Sequence, residues 1–152
     1  MGLPFVRPSM VFSSYDIVQE KVNPGDDYKY IIKRFKEKIS LTFLSIVPGR
    51  KIIFLSKLVD VRLSELKYVV EKKDIANFQT ASQRYSATAG NATEFILVEG
   101  SKEDRQKLIE KYQSHTPVLV KLQEPYIPDN SEWRFLQDDI NSLDSYVSKL
   151  SE

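Results

Sequence analysis

Cysteine is absent from this chain of 152 residues and histidine occurs once, at His115. Without thiols there is no disulfide, no thiolate metal site and no cysteine nucleophile, and a single imidazole cannot supply a multi-histidine metal centre. An excess of one charge sign is also missing: 22 Lys and Arg stand against 21 Asp and Glu, a net charge of +1. Such a chain carries no global field that would draw it to nucleic acid or an anionic membrane. No apolar run approaches the roughly 20 residues needed to cross a bilayer; the longest candidate, Lys51 to Val70, is interrupted by Lys57, Asp60, Arg62 and Glu65. The start, Met1-Gly2-Leu3-Pro4-Phe5-Val6-Arg7-Pro8, lacks the basic flank and long apolar stretch of a signal peptide. That leaves a cytosolic chain or one whose export signal lies outside this sequence. No catalytic, metal-binding, cofactor-binding or phosphate-binding motif is present. The chain does contain 41% hydrophobic and 11% aromatic residues, enough apolar matter for the core of one domain.

That apolar matter recurs at helical intervals. Residues 1–23 are short and mixed in pattern, with Pro4 and Pro8 discouraging helix, and read as an N-terminal arm. Residues 24–152 read as a single helical domain. Pro24-Gly25-Asp26-Asp27 makes a turn with acids at a helix start, and Tyr28, Ile31, Ile32, Phe35, Ile39, Phe43 and Ile46 then fall three or four apart. After a break at Val47-Pro48-Gly49, Ile52, Leu55, Val59, Leu63, Leu66 and Val70 repeat the spacing, while Phe54, Leu58, Val61 and Val69 widen the apolar surface. The second helix is therefore expected to touch more than one neighbour and, because the connection is short, to form an antiparallel hairpin with the first.

Asp74 is placed to cap a third helix carrying Ile75, Phe78, Ser82, Tyr85, Ala89, Ala92 and Ile96, whose small and polar residues around Gly90 predict a bent or less deeply packed element. Gly100 followed by Ser101-Lys102-Glu103-Asp104 is a stop and a capping-box restart for a fourth helix with Leu108, Ile109 and Tyr112 inward. Pro117 is expected to kink that helix or end it near Ser114. Pro125-Tyr126-Ile127-Pro128 is a linker, Asp129 and Glu132 form a capping pair, and Trp133, Leu136, Ile140, Leu143, Val147 and Leu150 make the cleanest seam in the chain. That seam closes a bundle or marks a short dimer contact. The predicted fold is all-α, an antiparallel helical hairpin extended to a bundle of about five helices.

Few residues invite a chemical reading. Lys29, Lys33, Arg34, Lys36, Lys38, Arg50, Lys51 and Lys57 outnumber Asp26, Asp27 and Glu37, so a local basic patch could meet nucleic acid or an anionic polymer. The alternative, which we favour, pairs these solvated positions with Asp129, Glu132, Asp138, Asp139 and Asp144 in the tail. His115 lies near the expected break at Pro117 and reads as a helix-end residue. The acid pairs Asp26-Asp27 and Asp138-Asp139 are accounted for by capping and solvation. The tyrosines fall on or beside apolar stripes, which suits core and rim packing better than base stacking.

Tyr30-Ile31-Ile32-Lys33-Arg34-Phe35-Lys36-Glu37-Lys38-Ile39 behind Pro24-Gly25-Asp26, together with Arg62-Leu63-Ser64-Glu65-Leu66 and Glu71-Lys72-Lys73-Asp74, resembles a bacterial family known only as a domain of unknown function. The likeness runs from about Pro24 to Tyr85. It implies helical hairpins in exported or cell-envelope proteins, and brings no activity. The second helix here is richer in Ile, Val and Phe than the family pattern, which predicts a more buried helix. The expectation is a non-catalytic interaction or structural module without cofactor or metal, with another protein as partner. Lys33, Arg34 and Lys38 on the basic face, and Trp133 if the last seam is exposed, are the candidate contacts. Nucleic-acid or anionic-polymer binding through the first basic helix is the alternative.

Overall fold

The computed structural model describes residues 48–152. Among them four helices follow one another, α1 (Pro48–Glu71), α2 (Ile75–Glu99), α3 (Lys102–Gln123) and α4 (Ser131–Ser151), with no strand. The first helix expected from sequence, over Tyr28 to Ile46, lies outside the described residues. Pro48 and Gly49, read from sequence as part of a break, belong instead to the first turn of α1. Proline suits that turn because its missing N–H would have had no intrahelical acceptor.

Short, well-capped connections set the topology. α1 closes with a Schellman arrangement in which the Lys73 amide donates to the Val70 carbonyl (3.1 Å) and the Asp74 amide to the Val69 carbonyl (3.0 Å). Lys73 takes the left-handed conformation this motif requires, at φ 56°. Glycine is the usual occupant, and a side chain there costs about 1 kcal/mol. Asp74 then caps α2, its Oδ1 accepting from the Asn77 amide at 3.3 Å. Between α2 and α3, the Asp104 amide donates to Ser101 Oγ (3.1 Å) while the Ser101 amide donates to Asp104 Oδ2 (2.9 Å), completing the anticipated capping box. The Ser101 amide holds the Asp104 carboxyl below its usual pKa. Before α4 the expected Asp129–Glu132 capping pair does not form; Asn130 occupies the cap position and makes no side-chain cap bond.

These turns make α1/α2 and α3/α4 antiparallel pairs. The pairs join with α2 alongside α4 and α1 alongside α3. Ser82, Ser86 and Glu94 of α2 meet Asp139, Tyr146 and Lys149 of α4 in the same order, so those two helices run parallel. Every helix contributes fully buried side chains to one core, including Leu63 and Leu66, Phe78 and Tyr85, Leu108 and Leu119, and Leu136 and Leu143. Each such leucine contributes roughly 1.5–3 kcal/mol through removal from water. The α4 seam faces this core, with Leu136, Ile140, Leu143 and Leu150 buried. No described helix is long and apolar enough to cross a membrane.

Two expectations are corrected in part. α2 is not thinly packed: Phe78, Ala81, Ser82, Tyr85, Ala89, Ala92, Thr93 and Ile96 are all buried, and it is the helix shared by α1 and α4. Its small residues allow close approach instead of weakening contact. α3 does not end near Ser114; it runs unbroken through Pro117. Pro117 and Gln113 are both exposed, so the Gln113 carbonyl that proline leaves without a donor lies on the outer face of the helix. Thr116 also turns its hydroxyl back to the Tyr112 carbonyl, at 3.1 Å.

Gly90 shows how tight the α2–α4 contact is. A Cβ added there would lie 2.9 Å from the Tyr146 hydroxyl, which itself donates to the Ser86 carbonyl at 3.1 Å. Alanine at a helix interior gains about 1 kcal/mol over glycine, and displacing the hydroxyl offsets that gain. Gly90→Ala is therefore expected to be near neutral alone and to stabilise by up to about 1 kcal/mol in a Tyr146→Phe background, where the oxygen is gone and the ring carbon Cζ, 3.3 Å away, need shift only slightly. Chemical denaturation of the four members of this cycle reads the difference. Equal effects in the two backgrounds would contradict the contact.

Candidate functional site

Among the described residues a buried polar seam runs through the middle of the bundle, and an open groove with exposed apolar side chains lies at one end.

The seam begins on α1, where Asp60 takes up a position three residues before Leu63 and is 0% exposed. Its Oδ2 accepts from Lys111 Nζ, and its Oδ1 lies 2.9 Å from His115 Nε2. Lys111 also donates to the Ser56 carbonyl at 2.9 Å. On its other side, His115 Nδ1 lies 2.9 Å from the Tyr85 hydroxyl of α2. A carboxylate can only accept, so a neutral imidazole carries its proton on Nε2, and Nδ1 accepts from Tyr85. The row Lys111–Asp60–His115–Tyr85 thus ties α1, α2 and α3 together with every hydrogen bond directed. Burial pushes the Lys111 ammonium pKa down, and the adjacent Asp60 carboxylate offsets part of that shift. Burial, with Tyr112 and Asp139 nearby, holds the Tyr85 hydroxyl well above the ordinary tyrosine value.

A second buried group lies between α2 and α4. Asp139 is 1% exposed and accepts from Ser82 Oγ at 2.7 Å. Among the described residues no cation pairs with it, and burial drives its pKa up to about 8, with Ser82 opposing the rise and Asp138 adding to it. Further along α2, the Ala89 carbonyl accepts from the Tyr112 hydroxyl of α3 at 2.7 Å; that hydroxyl lies 2.9 Å from Thr93 Oγ1, and its pKa is raised by burial. Glu65 is clasped by Arg62 and Arg84, each at 2.8 Å; Arg62 Nε is buried without a partner among the described residues. None of Asp60, Tyr85, His115 or Asp139 lines either open groove of the described residues. No group of three or more His, Asp or Glu side chains among those residues converges as metal ligands would.

The larger groove, about 1020 Å³, lies where the C-terminal ends of α1 and α3 meet the start of α2. Val70, Val118, Leu122, Pro125 and Tyr126 form its apolar lining, and Ile75 stands at its edge 69% exposed. Lys67, Lys73 and Lys121 surround this surface, with Glu71 the one acid among the described lining residues. Lys67 is paired to Glu71 at 3.3 Å.

The structure relocates several residues that the sequence singled out. His115, expected at a helix end, is mid-helix and buried, because α3 continues past it. Asp139, expected to be solvated, is in the core. Trp133 is half-buried at the start of α4 and away from the groove; its carbonyl accepts from Gln123 Nε2 at 3.2 Å. Lys33, Arg34 and Lys38 lie outside the described residues, as does the pair Asp26-Asp27. A sequence signal for the buried polar groups did exist. His115 falls three after Tyr112 and four before Leu119, and Asp139 three after Leu136 and four before Leu143, so both sit on apolar stripes. The groove carries no local signal, since its lining comes from three helices and a loop.

Comparison of the chain with protein-family models, with curated proteins and with solved structures returned no match.

Proposed function

We propose that this chain is a non-catalytic helical module that presents a recessed face to another protein, as part of an exported or cell-envelope protein of bacteria. The observation that carries the reading is the groove at the end of α1 and α3, where Val118, Pro125 and Tyr126 border solvent above the buried Val70 and Leu122 and Ile75 is 69% exposed. Apolar concavities of this size are where helical proteins take hold of partners. The buried seam supports the same reading from the other side: its carboxylate, imidazole, ammonium and hydroxyl are hydrogen-bonded to one another, and Asp60, Tyr85 and His115 do not line the groove, as groups that fix a bundle's geometry would not. The resemblance over Pro24 to Tyr85 supports the extracytoplasmic setting, and with it the hairpin of Asp26 to Lys73 within a bundle of about five helices.

Photo-crosslinking tests the reading. A benzophenone side chain at Ile75, in cells that express the chain natively, is expected to give a discrete adduct with a second polypeptide. The same group at Val98, which is 78% exposed but away from the groove, is expected to give none. No adduct from Ile75, or the same adducts from both sites, would overturn it.

A further inference from the structure

We propose that the groove receives a short amphipathic helix whose apolar face is flanked by carboxylates. This rests on the interaction-module reading and names the chemistry of the partner.

The apolar lining calls for anchoring side chains, and its form decides how they are delivered. The described residues offer no sheet edge, so a partner cannot be held by strand addition. It must insert side chains from a surface of its own, as a helix does with residues spaced three, four and seven apart. A lining of Val70, Val118, Leu122 and Pro125 with one aromatic ring, Tyr126, offers unstacked bases a single stacking surface, and a bilayer surface is too flat to enter a recess.

Charge decides the flanks. Three lysines and one glutamate border the recess, and that glutamate is engaged by Lys67. Among the described residues Lys73 and Lys121 make no ion pair, which leaves two ammonium groups at the rim to meet carboxylates. Lys73 also holds the left-handed position of the α1 terminus at φ 56°, where glycine is the unstrained choice, so replacing it with glycine removes the ammonium without straining the backbone.

The test uses the full chain and two fluorescein-labelled synthetic helices of equal length, both with leucine at the anchoring positions, one flanked by glutamate and one by lysine. Anisotropy is expected to show the glutamate peptide binding at least tenfold tighter, with affinity falling as salt rises. Lys73→Glu with Lys121→Glu is expected to invert the order. Ile75→Asp is expected to abolish binding while leaving the fold intact, because an acid in the first turn of α2 is favourable to that helix. Lys73→Gly is expected to raise the melting temperature and still weaken the glutamate peptide severalfold, a combination that loss of structure cannot produce. Equal binding of the two peptides, binding of neither, preference for the lysine peptide, or displacement by anionic phospholipid vesicles or duplex DNA as readily as by unlabelled peptide would overturn the proposal. If the Ile75 adduct of the cross-linking experiment still formed, only the acidic-helix assignment would fall; if it were absent, the interaction module would fall with it.

Discussion

Replacing Asp60 with alanine is expected to destabilise the bundle by about 3–5 kcal/mol, read as a lower urea midpoint with an unchanged slope. Asp60 is fully buried and accepts simultaneously from the Lys111 ammonium and the His115 imidazole. Its removal leaves an ammonium group in the interior with only the Ser56 carbonyl at 2.9 Å, and an Nε2–H with no acceptor. Desolvation, which already lowers the Lys111 pKa, would then act without the opposing carboxylate. Native domains are stable by roughly 5–15 kcal/mol in total, so the loss takes away a large share of the folding free energy.

Either charge left alone is costly. Lys111→Met leaves the fully buried Asp60 carboxylate with the His115 Nε2–H and no cation, so it too should cost about 3–5 kcal/mol. Asp60→Leu combined with Lys111→Met removes both charges together and should lie well above the sum of the single losses in stability, since an ion pair replaced by well-packed apolar groups is often neutral. A loss below about 1 kcal/mol for Asp60→Ala would contradict a tightly satisfied buried row. Simple additivity of the pair would place Lys111 and Asp60 outside mutual contact.

Periodic apolar spacing and end signals carried most of the helical architecture over residues 48–152. The run Ile52 to Val70 is α1, the steady register from Leu136 to Leu150 is the buried face of α4, and Asp74 and Ser101 cap the helices they were expected to cap. What spacing could not convey is what lies opposite each stripe. Ala81, Ala89, Gly90 and Ala92 contribute little hydrophobic signal, so α2 looked thinly packed; in the fold, their small size is what lets α4 approach until Tyr146 touches Gly90. His115 and Asp60 stand 55 positions apart in the chain, and Ser82 and Asp139 stand 57 apart. No local pattern announces such pairs. A polar residue on an apolar stripe says that a partner is needed, and tertiary structure alone says which one. The groove is harder still, because it arises from where α1 and α3 stop, and helix ends are the features local sequence defines least sharply.

Asp139→Asn is expected to flatten the dependence of stability on pH and to stabilise the protein in mildly alkaline solution. In the folded state the Asp139 carboxyl has a pKa of about 8, against an ordinary value of 3.8. Below 3.8 both folded and unfolded chains hold the proton, and this group imposes no slope. Between the two values the folded protein binds a proton that the unfolded chain has lost, so stability falls as pH rises, and the loss is complete once pH passes the folded value. The full span corresponds to several kcal/mol. Asparagine is neutral at every pH and similar in shape, so this term disappears, while its amide must still find acceptors beside Ser82, which limits the gain. The difference between variant and parent should therefore be close to zero or slightly negative near pH 4 and grow to about 1–3 kcal/mol in favour of the variant near pH 8. Taking the difference at each pH cancels the carboxylates that the two proteins share, such as Asp104 with its lowered pKa. Urea denaturation from pH 4 to 9 measures it. Parallel curves for the two proteins across that range would mean that Asp139 carries its charge inside the folded bundle, and would call for a cation or water beside Ser82.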